Sequence, residues 1–281
     1  MATLSRLILY PIKSCAAMPV PEALATVSGL VARGIHDREW MLVSDEGRFL
    51  TQRELPRMAT IVPRVEDDAL VVAAPGMPSL RLPLAARAPA PTMRVQIWDD
   101  LVEAIDCGAA SAAWFGRILD TRCRLVRFKP DAARPTSEKW TAGAPSSARF
   151  ADAYPLLLIG AASLDDINAR MRAAGRAPLP MDRFRPNLVV DGLAPFDEDY
   201  TASFDAGGIV IRPVKPCARC PIPAIDQATG IRGPDPLDIL HTWRSKAILD
   251  GAVCVGMNCI VAGGAGGVLR VGQELAASLS F

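Results

Sequence analysis

Apolar and polar positions alternate at short range through the first hundred residues. Leu4 to Tyr10 is a short apolar run ended by Pro11. Arg38 to Val43 and Arg48 to Thr51 flank Asp45-Glu46-Gly47, the pattern of a hairpin with a Gly-containing turn. Ile61-Val62, Leu70-Val71-Val72 and Leu80-Arg81-Leu82 follow, punctuated by Asp67-Asp68 and Pro75-Gly76. Beyond the Pro-rich Ala88-Pro89-Ala90-Pro91, Met93 to Trp98 and Leu101 to Ile105 flank Asp99-Asp100. Short strands at this spacing predict a barrel or a sandwich.

The period then changes. Ala112, Ala113, Phe115, Gly116 and Leu119 suit one face of a short helix over 109–119, and Cys123 to Phe128 returns to extended chain. Residues 129–150, rich in Pro, Ala, Ser and charge, show no period and predict a long loop of the kind that links or covers. In the second half, Tyr154 to Ile159 reads as a buried strand. A helix follows to about Arg172, with Ser163 as N-cap and Asp165 and Asp166 in its first turn. Leu188 to Val190 and Ile209 to Val214 are further strands. Leu240, Trp243, Ala247 and Ile248 predict a helix over 238–248, and Val253 to Val255, Asn258 to Val261 and Val268 to Val271 a closing small sheet. Gly263 to Gly267 lacks the Lys-Ser/Thr of a phosphate-binding loop and reads as a flexible hairpin loop. The expected fold class is mostly β with some helix, α+β.

Composition narrows the function. Half the residues are hydrophobic, enough to bury a substantial core, and Lys+Arg 31 against Asp+Glu 30 leaves none of the basic surplus that nucleic-acid binding by counterion release requires. No apolar run approaches the roughly 20 residues of a bilayer span, and the first apolar segment is too short for a secretory core, so a cytoplasmic protein is expected. The seven cysteines are odd in number and scattered, which favours reduced thiols over a disulfide framework.

The densest chemistry lies in Lys215-Pro216-Cys217-Ala218-Arg219-Cys220-Pro221, two thiols and two cations on one short loop. A Cys-x-x-Cys supports three readings: half of a zinc site, a redox dithiol, or one thiolate ligating a soft transition metal beside cations that hold an anionic group. The flanking prolines argue against the helix N-terminus of a dithiol motif. The third reading calls for more anion-binding groups at strand edges, and Lys13-Ser14, Arg38, and Arg185 with Asn187 are candidates, since a guanidinium fork grips a phosphate with two bonds. His241 reads as a structural or surface histidine, and no Gly-x-Ser-x-Gly elbow or His-Glu-x-x-His pair is present.

Six ordered segments carry a resemblance. They are Leu9 to Cys15 (LYPIKSC), Gly34 to Trp40 (GIHDREW), Phe49 to Arg53 (FLTQR), Arg183 to Leu188 (RFRPNL), Cys217 to Cys220 (CARC) and Leu269 to Gln273 (LRVGQ). Together they resemble proteins in which an N-terminal β-barrel domain precedes a MOSC domain, of the bacterial YcbX type and the mitochondrial amidoxime-reducing component type. The resemblance implies an N-terminal domain over 1–120 and a MOSC β-barrel domain over 121–281, with a molybdenum cofactor (molybdopterin) in the cleft between them. It implies Cys220 as the metal-ligating and catalytic thiolate. Lys13, Ser14, Arg38, Arg185, Asn187, Ala218 and Arg219 match motifs that hold the pterin and its phosphate, and Cys217 a supporting cysteine. Relatives often place Ser or Thr after the Phe of Phe150-Ala151-Asp152; here it is Ala151, and Asp152 is a lesser candidate. The implied reaction is reduction of N-hydroxylated or N-oxygenated small molecules. Since the chain ends at Phe281 without a ferredoxin-like extension, electrons are expected from a separate partner of ferredoxin or flavoprotein type. A cysteine-persulfide sulfur carrier or a cofactor carrier without turnover is the alternative.

Overall fold

The computed structural model describes residues 1–85 and 91–280; the Ala88-Pro89-Ala90 punctuation lies outside them. The protein is mostly β, and its central feature is a closed barrel of seven strands. In barrel order these are Leu156–Gly160, Leu188–Asp191, Ala2–Leu9, Glu274–Leu279, Thr201–Asp205, Val210–Ala218 and Ala252–Gly263, the last pairing back with the first. Leu156–Gly160 and Leu188–Asp191 run parallel, and the helix Ala161–Ala173 supplies the crossover that a parallel pair requires. All other barrel pairs are antiparallel.

The period-two geometry of strands explains why Leu156–Gly160 is buried along its whole length. Leu156 and Leu158 face the large core, while Leu157 and Ile159 face outward under Leu164, Ile167 and Met171 of the helix. Ala2–Leu9 obeys the same rule: Leu7 and Leu9 join the large core and Ile8 the helix-covered cluster. Among the described residues there are three smaller sheets besides the barrel. Trp40–Val43 pairs with Arg124–Phe128, which continues to Asp100–Asp106 and Thr92–Ile97. Ile35–His36, Gly29–Ala32 and Glu22–Thr26 extend to Val268–Arg270, and Val62–Glu66, Ala69–Ala73 and Leu80–Pro83 form the third. One continuous core runs from Ala2 to Leu275, so residues of both halves share the same buried interior.

Several expected elements end differently. The second-half helix starts directly from Gly160, with no loop for a cap at Ser163. Ser163 is instead buried, donating to the Glu198 carboxylate at 2.7 Å and accepting the Phe196 N–H at 2.8 Å. The helix expected over 238–248 spans Leu237–Arg244, because Ser245 and Lys246 pair with Val253 and Ala252; Ile248 is exposed. Gly263 to Gly267 is no hairpin, since the strands on its two sides belong to different sheets. A Cβ on Gly264 would lie 2.2 Å from the Gly208 carbonyl oxygen, so the backbones meet there as only glycine permits. Residues 129–150 carry one short helix, Glu138–Thr141, between irregular stretches. The buried Arg134 ties this segment down, donating to Asp100 at 2.7 Å and to the backbone oxygens of Arg149, Ala151 and Asp152.

Candidate functional site

The loop that leaves Ala2–Leu9 is pulled sideways as soon as the strand ends. Lys13 N–H donates to the Trp40 oxygen at 2.8 Å and Arg38 N–H to the Tyr10 oxygen at 2.8 Å, which lays the two loops together. Asp37 completes the seam by accepting the Tyr10 N–H at 2.7 Å and pairing with Arg38. Lys13 is buried. Its ammonium donates to the Phe150 oxygen at 2.9 Å and pairs with Asp152. Burial pushes the Lys13 pKa down and Asp152 opposes it. At Asp152, desolvation favours the neutral acid but is outweighed by the Lys13 charge and hydrogen bond, and the carboxyl is held below the usual range.

Arg185 approaches from the other half of the chain. Its guanidinium carbon sits 4.2 Å from the Tyr10 ring centroid and that of Arg38 sits 4.4 Å from it, so one buried phenol carries two cations. Burial raises the Tyr10 pKa to about 12 against the pull of Arg185 and Arg38, and its hydroxyl donates to the Pro186 oxygen. Asn187 is the joint beneath them. Its Oδ1 accepts Arg38 at 3.0 Å and the Leu157 N–H at 3.1 Å, and its Nδ2 donates to the Ile8 oxygen at 3.0 Å. Ser14, Arg38 and Arg185 all hold left-handed backbone, with φ of 65°, 47° and 57°. Non-glycine residues keep that conformation only where the surroundings over-determine it, and here three occur in one site.

The third wall is the end of Val210–Ala218 and the turn beyond it. Arg219 N–H donates to the Val253 oxygen at 2.8 Å. Its side chain donates to Cys217 Sγ at 3.2 Å and to the Phe184 oxygen at 2.7 Å, and its Nε is buried without a partner among the described residues. Cys220 follows, half-buried, before Pro221 and the short turn Ile222–Ala224. All seven cysteines are free.

These walls line one cavity that opens to solvent. Lys13, Ser14, Arg38, Arg185, Asn187, Ala218, Arg219 and Cys220 all line it, as do Cys217 and Asp152. Asn187 is largely engaged by protein atoms and serves the others as a brace. The lining also includes Arg53, making five cations against the single carboxylate of Asp152. Such a surplus suits a multiply charged anion, with a thiol at its edge. Among the described residues no three His, Cys, Asp or Glu side chains converge to hold a metal ion, so Cys217 and Cys220 lack partners for a four-ligand zinc site. His241 is exposed on Leu237–Arg244.

Sequence reasoning passed over Tyr10, Arg53 and Trp98. Tyr10 and Arg53 sit inside two of the motifs, where a cation or aromatic beside a candidate was the available signal. Trp98 had none, since it reaches the site only through folding.

Residues 1–122 match the MOSC N-terminal beta barrel domain and residues 145–276 match the MOSC domain. The chain is 34% identical over 246 residues to human mitochondrial amidoxime reducing component 2, covering 86% of this chain and 72% of the relative. It is 32% identical over 246 residues to mouse mitochondrial amidoxime-reducing component 1, covering 86% and 71%.

Proposed function

The chain belongs to the family of MOSC proteins with an N-terminal MOSC β-barrel domain, relatives of the mitochondrial amidoxime-reducing components, and on that premise we propose that it binds a molybdenum cofactor in this cavity and reduces N-hydroxylated compounds there. The observation that carries the reading is the cavity lining: five cations, one carboxylate and two cysteines, drawn from segments far apart in sequence. The residues fit an anionic pterin phosphate. Among the described residues the buried Arg219 Nε–H has no protein acceptor, so it is a donor at the cavity wall that a bound anion could complete.

When bound, the cofactor would supply the two-electron chemistry of N–O reduction. The chain's residues divide the remaining work. Arg38 and Arg185, set at fixed spacing by the Tyr10 ring, grip the phosphate. Lys13 adds charge from the cavity floor. Cys217 is occupied by the Arg219 guanidinium, whereas no hydrogen bond engages Cys220 Sγ among the described residues, which leaves Cys220 as the thiolate for the metal. Reduction of an amidoxime consumes two electrons and two protons and releases an amidine and water. Asp152, held ionised by Lys13, cannot act as the proton donor, but its carboxylate at the mouth suits the cationic amidine that forms. The electrons come from a separate electron-transfer protein of ferredoxin or flavoprotein type.

Elemental analysis and a benzamidoxime reduction assay, on protein from a host that makes the cofactor, test the reading. Stoichiometric molybdenum and turnover are expected, both lost in Cys220→Ala. Full activity without molybdenum would overturn it, and cyanide-labile sulfur without metal would point to the persulfide carrier.

A further inference from the structure

Trp98 occupies a position that turn chemistry reserves for other residues. Thr92–Ile97 and Asp100–Asp106 form a hairpin whose last pair is Ile97 with Asp100, leaving Trp98 and Asp99 as a two-residue turn. Trp98 has φ of 54°, where Asn or Gly is favoured and a bulky side chain is strained. Its indole is 40% exposed. Strain of this kind persists where neighbours hold it, and here they do. The indole N–H donates to Asp152 at 3.2 Å, the ring lies 5.1 Å from Phe49, and the Arg53 guanidinium carbon sits 4.6 Å from its centroid.

Trp98 does not itself line the cavity but is joined to it through Arg53 and Asp152, which do. The Arg53 backbone oxygen accepts Arg232 at 2.8 Å and its Nε donates to Thr51 at 3.3 Å. Its two terminal amino groups have no hydrogen-bond partner among the described residues, although Arg53 lines the cavity. The guanidinium and the part-exposed indole present a stacked, flat, weakly hydrated surface beside Asp152. Flat π systems are what such a surface attracts.

We propose that Trp98 and Arg53 form a stacking subsite at the mouth that selects N-hydroxylated substrates carrying a planar aromatic ring next to the N–O group. The proposal rests on the reductase reading for its substrate class. The ring lies against the Trp98–Arg53 pair while the N–O group points inward toward Cys220.

The test compares benzamidoxime with acetamidoxime, which differ in the ring alone. In Trp98→Ala the ratio of kcat/KM for benzamidoxime over acetamidoxime falls about tenfold, the size of one aromatic stack with its cation–π contact. Arg53→Lys keeps the charge, loses the plane and shifts the ratio in the same direction. A ratio that stays at the wild-type value while both substrates slow together overturns the subsite and leaves Trp98 a structural role. So does an Arg53→Lys effect that appears with 4-carboxybenzamidoxime alone, which would make Arg53 an anion fork. A second readout needs no turnover. In metal-free protein, the indole N–H resonance that is missing in Trp98→Ala shifts on titration with benzamidoxime and not with acetamidoxime; no shift also overturns the subsite. Absence of wild-type turnover with either substrate sinks the reductase reading, and the resonance then decides the subsite by itself.

Discussion

Gln52 and Gln227, 175 residues apart, exchange two amide hydrogen bonds of 3.0 Å. Gln52 also donates to the Ser14 oxygen at 2.7 Å, and Gln227 accepts Arg185 at 3.2 Å. One amide pair thus joins the Ser14 loop to the Arg185 guanidinium from opposite ends of the chain. Gln52→Leu and Gln227→Leu each leave a polar partner unsatisfied and lower stability by about 1–2 kcal/mol. The double variant loses less than the sum, with a coupling near about 1 kcal/mol in a urea-unfolding cycle. Strict additivity would show that the pair acts as two separate contacts.

Arg38 and Arg185 both pack on the Tyr10 ring, and that ring is the part that matters for cofactor retention. Tyr10→Phe retains molybdenum close to the wild-type content, whereas Tyr10→Leu loses several-fold, as read by elemental analysis of freshly purified protein. Equal content in the two variants would remove the ring from the argument.

The Lys13–Asp152 pair sets an acid limb. The Asp152 pKa is depressed in the folded protein, so its contribution to stability is complete above the unfolded value and is lost as pH falls below about 4. Asp152→Asn flattens that limb. At neutral pH the same variant leaves the buried Lys13 without a counter-charge and costs about 1–3 kcal/mol, less than a fully buried pair because the Asp152 side chain is 59% exposed. Urea midpoints at several pH values measure both effects.

Buried thiols set the alkaline limb with the opposite sign. Burial raises the Cys15 and Cys107 pKa values to about 12, so the folded chain keeps protons that the unfolded chain releases. Their contribution is complete below about pH 9 and is lost as pH rises toward about 12. Circular dichroism of the reduced protein across that range shows the decline, and Cys15→Ala makes it shallower.

Gly256 is where the barrel closes. Its φ is 74°, and a Cβ there would lie 2.5 Å from Ile159 Cγ1 and 2.6 Å from the Leu158 oxygen. Ala252–Gly263 pairs with Leu156–Gly160 through Leu158 and Met257. Gly256→Ala forces these strands apart and destabilises the protein by about 2–4 kcal/mol in chemical unfolding.

Much of this site was legible in local patterns. Lys13, Arg38, Arg185 and Arg219 each stand at the edge of an apolar run, and the structure brings all four to one cavity. The strands could be read because alternation reports a half-buried face, as in Thr92–Ile97, where Val95 and Ile97 are buried and Arg94 and Gln96 exposed. What could not be read depended on distant pairing. The helix expected to reach Ile248 stops at Arg244 because Ser245 and Lys246 find partners in Val253 and Ala252, a contact invisible to helical periodicity. Trp98 looked like the end of a strand, and its meaning comes from Asp152 and Arg53, which chain order places far from it.

The barrel order has a consequence for synthesis. Ala2–Leu9 is made before every other barrel strand, yet it pairs with Glu274–Leu279, which is made after all of them. Its second neighbour, Leu188–Asp191, is also far downstream. Its Leu7–Leu9 end finds an early partner in Met18–Val20, but the edge toward Leu188–Asp191 and the Ala2–Thr3 end wait through most of translation. Pairings this distant in sequence form slowly, and an unpaired apolar edge invites association with other chains. A nascent chain of this protein is most exposed to aggregation before Glu274–Leu279 appears to close that edge.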